Sequence, residues 1–124
     1  MKLHLHPVWE QTLPEKGKAE LTAAFLTLPP SHSFGAFPFL IKRKKNGGVV
    51  ATVFLQNGTV YPVAFEQIQV LIYDEKKRMA QHIFEESLVV PASSAMPWSF
   101  VFPPASTEEG EIRDQLTVVV DLLK

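Results

Sequence analysis

His4 and His6 stand two residues apart, and on a strand that spacing turns both imidazoles to one face, where a metal ion could use them. A closed zinc site takes four ligands, however, and the remaining histidines, His32 and His82, are isolated in sequence. Two surface histidines on an edge strand are the simpler reading, and no metal site is expected. The chain has no cysteine, so thiolate nucleophiles, disulfides, Cys-ligated zinc and iron–sulfur clusters are excluded by chemistry.

The carboxylates carry no clearer signal. They fall in adjacent pairs, as in Asp74-Glu75, Glu85-Glu86 and Glu108-Glu109, and neighbours on a strand point to opposite faces rather than forming an acid/base couple. No G-x-S-x-G elbow and no Ser/His/Asp order accompanies them, and Asn46-Gly47-Gly48 lacks the lysine and the strand-to-helix setting of a phosphate loop. The expectation is a non-enzyme, with no catalytic residues and no cofactor.

Lys42-Arg43-Lys44-Lys45 is a run that phosphate or anionic lipid would suit, but it abuts a Gly-rich hairpin tip, where solvated charge also protects a sheet edge. Nucleic-acid platforms interleave exposed aromatics with basic residues, whereas the aromatics here fall on core faces. A net charge of −1 adds no long-range attraction, so nucleic acid is not an expected partner. Trp9, Phe34, Phe37 and Trp98 lie near the joins between the N-terminal segment and the rest. Core packing is their default role, since Phe and Trp bury large areas. The functional alternative is an apolar groove between helix and sheet that accepts a peptide, with Trp9, Phe34 and Phe37 as partner-binding candidates and Phe34 as the exposed anchor.

The elements that must position these residues follow from periodicity. Thr12-Leu13-Pro14-Glu15 has the form of a capping box, and Leu21, Ala24, Phe25 and Leu28 recur at helical spacing, which predicts a helix over 13–28 stopped by Pro29-Pro30. Before it, Leu3 and Leu5 alternate with His4 and His6 as in a short edge strand. From Phe37 the period is two: Phe37, Phe39 and Ile41 share a face before the turn, and Val49, Ala51, Val53 and Leu55 return on one side. Ile68, Val70 and Ile72 are expected inward, Met79 to Phe84 pairs back, and Leu88-Val89-Val90 is a separate short segment. Trp98, Phe100 and Phe102 share a face between Pro97 and Pro103, and Leu116, Val118, Val120 and Leu122 line the last strand.

Six or seven strands at this spacing, with one helical period, predict a mainly β chain: an immunoglobulin-like antiparallel β-sandwich with one short N-terminal helix. At 124 residues it fits a single domain, 1–36 forming the strand, helix and connector and 37–124 the sandwich. No apolar run of about 20 residues suggests a membrane span, and the first residues lack the apolar core of a signal peptide. The expected location is the cytoplasm, free or peripherally attached to the membrane.

The run Gly47-Gly48-Val49-Val50-Ala51-Thr52-Val53, the segment Ile72-Tyr73-Asp74-Glu75 and the stretch Pro97-Trp98-Ser99-Phe100-Val101-Phe102-Pro103 together resemble the SLAP domain of Gram-positive bacilli. Leu5-His6-Pro7-Val8-Trp9 and the helix exit Leu28-Pro29-Pro30 resemble it too, so the similarity spans nearly the whole chain. In that family the domain occurs in duplicate in S-layer assembly proteins that accompany an accessory Sec export system, and also as small stand-alone proteins. The resemblance implies a protein-binding role in secretion or cell-envelope assembly, with an export client or an export component as partner and no catalytic residues. Strand addition at an open edge, or insertion of a client segment beside the N-terminal helix, would serve it. Self-association through edge strands is the second reading, and a small-ligand protein or enzyme the third.

Overall fold

A computed structural model describes residues 1–113 and 115–123 of the chain. Its elements run β1 (Lys2–Leu3), α1 (Pro7–Thr12), α2 (Glu15–Phe25), β2 (Phe34–Arg43), β3 (Val49–Asn57), β4 (Val63–Asp74), β5 (Lys77–Val90), β6 (Ser94–Phe102), a 3₁₀ turn at Pro104–Ser106, and β7 (Leu116–Leu122). The strands form two sheets, ordered β1-β6-β3-β2 and β5-β4-β7. Alternate residues drive the two faces together: Val53 and Leu55 of β3, Phe100 and Phe102 of β6, and Ile68 and Val70 of β4 are wholly buried between them. The expected mainly β sandwich with an N-terminal helical segment is what the chain forms. One pairing departs from the antiparallel pattern, since β1 runs parallel to β6 through Lys2↔Ser94 and Leu3↔Ala95.

The outer face of the four-stranded sheet has a cover of its own. Leu21 of α2 packs with Phe54 and Ala95 of the sheet, and Leu5, Trp9, Leu13, Phe25 and Phe39 close around them. The helical segment is two helices rather than the one expected over 13–28. Thr12 ends α1 with its hydroxyl donating to the Val8 carbonyl (2.7 Å), so it caps nothing, and Pro14 is an N-cap without a side-chain bond. The start signal that decides is His6-Pro7: proline suits the first helical position, and His6 Nδ1 accepts from the Val8 N–H (3.2 Å).

Register shifts redistribute the strand faces. The register of β2 slips between Pro38 and Leu40, which turns Ile41 into the sandwich while Phe39 packs outside against Phe54 with ring centroids 5.8 Å apart. Phe37, Phe39 and Ile41 therefore do not share a core face as the alternation predicted. A second slip, between Phe65 and Gln67 opposite Leu88 and Glu85, keeps Phe65 and Ile68 both inward. It also lets the segments predicted as 79–84 and 88–90 run as one strand. Pro97 lies within β6, just past the point where β1 has ended, where a missing N–H removes no pairing.

Polar side chains pin the ends of the sandwich. Asn57 is fully buried, and its Nδ2 donates to the carbonyls of Tyr61 (2.9 Å) and Val90 (3.1 Å) while its Oδ1 accepts from the Thr59 N–H (3.0 Å) and hydroxyl (2.7 Å). One side chain thus ties β3 of one sheet to β5 of the other. At the opposite end Arg43 donates to the carbonyls of Gly47 (3.0 Å), Glu108 (2.9 Å) and Gly110 (2.7 Å), holding the loop after β6 against the β2–β3 hairpin. Asn57→Ala strips several buried bonds at once and should lower the unfolding free energy by about 3 kcal/mol. In a thermal melt that corresponds to a drop of about 10 °C; a drop under about 2 °C would mean that water satisfies the same groups.

Candidate functional site

The three partner-binding candidates do not converge on one surface. Trp9 of α1 is half-buried, its ring stacked on Trp98 at 6.3 Å and 24° in the seam between α1 and β6. Phe34 is the first residue of β2 rather than part of a connector, and it packs edge-on against Phe65 (6.2 Å) at the margin of the sandwich core. It is not an exposed anchor, because β2 begins earlier than the turn-forming residues around it suggest. Phe37 is the exposed member, opposite Phe54 on the outer face of β2. The expected apolar groove between helices and sheet is filled by Leu21, Phe25, Phe39 and Phe54.

The histidines and the basic run are likewise engaged. His6 caps α1 and meets Trp98 edge-on at 5.1 Å, so one imidazole of the His4/His6 pair is committed to packing. Among the described residues no cluster of three His, Asp or Glu side chains is arranged to hold a metal ion. Lys42, Lys44 and Lys45 are exposed as a solvated turn requires, but Arg43 turns inward to the carbonyls described above. A lone arginine followed by a glycine turn gives no sequence sign of that role.

A cleft of about 500 Å³ runs between β5 and the 3₁₀ turn and contains a pair that sequence spacing did not bring together: His82 Nδ1 lies 2.8 Å from Ser106 Oγ. A hydroxyl beside an imidazole is the start of a nucleophile–base arrangement. The rest of that arrangement is not built. The other side of His82 meets the Phe84 ring at 4.8 Å, and no carboxylate among the described residues bonds to it. The backbone N–H groups that could hold an oxyanion are engaged, those of Ser106, Thr107 and Glu108 donating to Pro103, Pro104 and Met79. The pair latches the turn onto the edge of β5.

The two ends of the sandwich differ in chemistry. Loops 44–48, 75–76 and 103–113 carry charge of both signs, including Lys44, Lys45, Glu108, Glu109 and Glu111. At the other end, loops 26–33, 58–62 and 91–93 are laced together by the Gly58 N–H on Ser33 O (2.9 Å) and the Ser93 N–H on Thr59 O (3.1 Å). Glycine is required there, since a Cβ on Gly58 would run into the Ser31 carbonyl. None of the chain's 13 Asp and Glu residues lies in these three loops, yet Leu26, Val60 and Tyr61 are 76%, 77% and 75% exposed. Beside them opens a cleft of about 380 Å³ whose walls include Met1, Phe25, Leu28, Pro29 and Gln56. Neither Val60 nor Tyr61 drew attention in the sequence; the signal was there as 45 consecutive residues, Leu21 to Phe65, without a carboxylate.

The family model described as the SLAP domain matches residues 3–121, nearly the whole chain. No curated protein and no solved structure matches it. Among the described residues no helix is long and apolar enough to cross a membrane. If His82 and Ser106 form a structural latch, Ser106→Ala should cost about 1 kcal/mol of stability and leave p-nitrophenyl acetate hydrolysis at the parent's rate. Loss of ester hydrolysis in that variant would restore a catalytic role to the cleft.

Proposed function

The chain belongs to the SLAP domain family, and on that premise we propose that it is a non-catalytic protein-interaction domain that binds an export client or export component on the cytoplasmic side, in protein export or cell-envelope assembly. One observation carries the reading: a carboxylate-free end of the sandwich on which Leu26, Val60 and Tyr61 are the most exposed large apolar side chains among the described residues. Apolar surface kept in water costs solubility and contributes nothing to folding, so a binding partner is the economical account of it.

Strand addition at an edge is the weaker form of recognition for this domain. β2 is bulged beside Pro38 and lies alongside β7, which shields both edges on that side. The outer edge of β5 pairs with Thr107 at Ala80 and beyond that carries Glu85 and Glu86, charges of the kind that keep edges from pairing.

Crosslinked affinity capture of the tagged chain from a Gram-positive bacillus, with cytosolic and membrane fractions separated, tests the proposal. Export machinery or envelope precursors should be enriched over a control in which Val60 and Tyr61 are both changed to Ser. Recovery of the bait alone from both fractions would remove the interaction reading.

A further inference from the structure

The chain has two asparagines, Asn46 and Asn57, and each precedes a glycine. That dipeptide carries a reaction of its own. The backbone nitrogen after an asparagine can attack the side-chain amide carbon, and glycine, having no Cβ, leaves the approach open. The fold sets the two pairs in opposite surroundings.

Asn57 is fully buried and held at both of its polar atoms. Its Nδ2 donates to the carbonyls of Tyr61, Val90 and Pro91, and its Oδ1 accepts from the Thr59 N–H and hydroxyl. The Gly58 N–H donates in turn to the Ser33 carbonyl at 2.9 Å. The amide cannot turn toward the Gly58 nitrogen without breaking these bonds together, so reaction there waits for a large opening of the structure.

Asn46 stands exposed at the tip of the β2–β3 hairpin. Its Oδ1 accepts from the Gly48 N–H at 2.9 Å, which folds the side chain back along the Asn46–Gly47 peptide and draws electrons from the amide carbon. No described residue accepts from its Nδ2, so ammonia leaves directly into solvent. Gly47 adopts φ of +92°, and its N–H meets the Lys44 carbonyl at 3.0 Å, a bond that breaks whenever the hairpin tip frays. The exposed Lys44 and Lys45 stabilise the negative charge that forms as the Gly47 nitrogen loses its proton.

We propose that Asn46 is a site of spontaneous modification, converting through a cyclic imide to aspartyl and β-aspartyl residues, and that the β-linked form releases the loop held by Arg43 and Thr107. The Gly47 nitrogen bonds to Asn46 Cγ, the Cγ–Nδ2 bond breaks, and the proton lost by Gly47 passes through solvent to the departing ammonia. Water then adds to one imide carbonyl or the other, restoring the ordinary backbone or routing it through Cβ and Cγ. The second product lengthens the main chain by one carbon beside Gly47, whose carbonyl accepts from Arg43 (3.0 Å) and Thr107 (3.0 Å). Either product adds a negative charge to the Lys42–Lys45 run.

The test is ageing of the purified chain at mildly alkaline pH, with chymotryptic peptides on either side of Phe54 followed by mass spectrometry for amide-to-acid conversion. In the native chain the Asn46 peptide should convert at least about tenfold faster than the Asn57 peptide, while in urea the two should convert at comparable rates. An isoaspartyl methyltransferase should label the Asn46 peptide of the aged chain and not that of Asn46→Ser. Comparable native rates, or an Asn46 that stays intact while the denatured chain converts, would overturn the site. The β-linked chain, separated by chromatography, should melt about 5 °C below the parent. Asn46→Asp, which has the charge without the extra carbon, should melt within about 2 °C of the parent. Equal melting of the β-linked chain and Asn46→Asp would overturn the release of the loop.

Discussion

β3 is buried on both faces, and the arrangement of the chain follows from the need to cover it twice. Val49, Ala51, Val53 and Leu55 face the second sheet, while Phe54 and Gln56 on the opposite side are also shut off from water. A central strand of this kind cannot belong to a sheet with one wet face. The three-stranded sheet supplies one cover, and the segment through α1 and α2 supplies the other, with Leu21 set directly over Phe54. A side chain of that size gains about 2 kcal/mol from full burial, so the helices are part of the folding unit and not an appendage to it.

Covering β3 from outside also decides what happens at the ends. The chain must leave the helix layer and enter β2, and it does so through Pro29 and Pro30, past the end of β3 where Gln56 and Asn57 are buried. Asn57 has its bonding capacity met by neighbouring loops, whereas Gln56 has half of it met. Two adjacent amides in the same strand thus tie different layers, Asn57 joining the two sheets and Gln56 holding the helix exit at Pro29 to β3. At the far end Arg43 performs the closing role through backbone carbonyls, without a carboxylate partner among the described residues.

Much of the fold was legible because burial imposes period two on sequence. Val49 to Leu55, Ile68 to Ile72 and Leu116 to Val118 point where their alternation says. What escaped the alternation were positions where the ladder gains a residue, at Phe39 and near Glu66, since a bulge changes the phase without changing the type of residue. Helix α2 follows its apolar period, whereas α1 escaped because its start signal is His6-Pro7, six residues before the capping-box Thr12. The candidate site was less legible still. Phe34 and Trp9 are aromatic and near a junction, which is equally a description of core residues, and packing claimed them. The carboxylate-free end brings together three loops far apart in sequence; the missing charge was legible as a run of residue types, but the convergence of the loops was not.

The seam between α1 and β6 has an optical consequence. Both tryptophans of the chain, Trp9 and Trp98, are stacked there, with the Trp98 Nε1 enclosed and unbonded to any described residue and the His6 ring against its edge. All of the indole emission therefore originates at one contact, where a two-residue strand and a six-residue helix meet the sheet. Steady-state fluorescence of the unmodified chain reads the lifting of α1 away from the sandwich, while far-ultraviolet dichroism of the strands reads the sandwich itself. The molecule carries a built-in spectroscopic separation of its outer layer from its core.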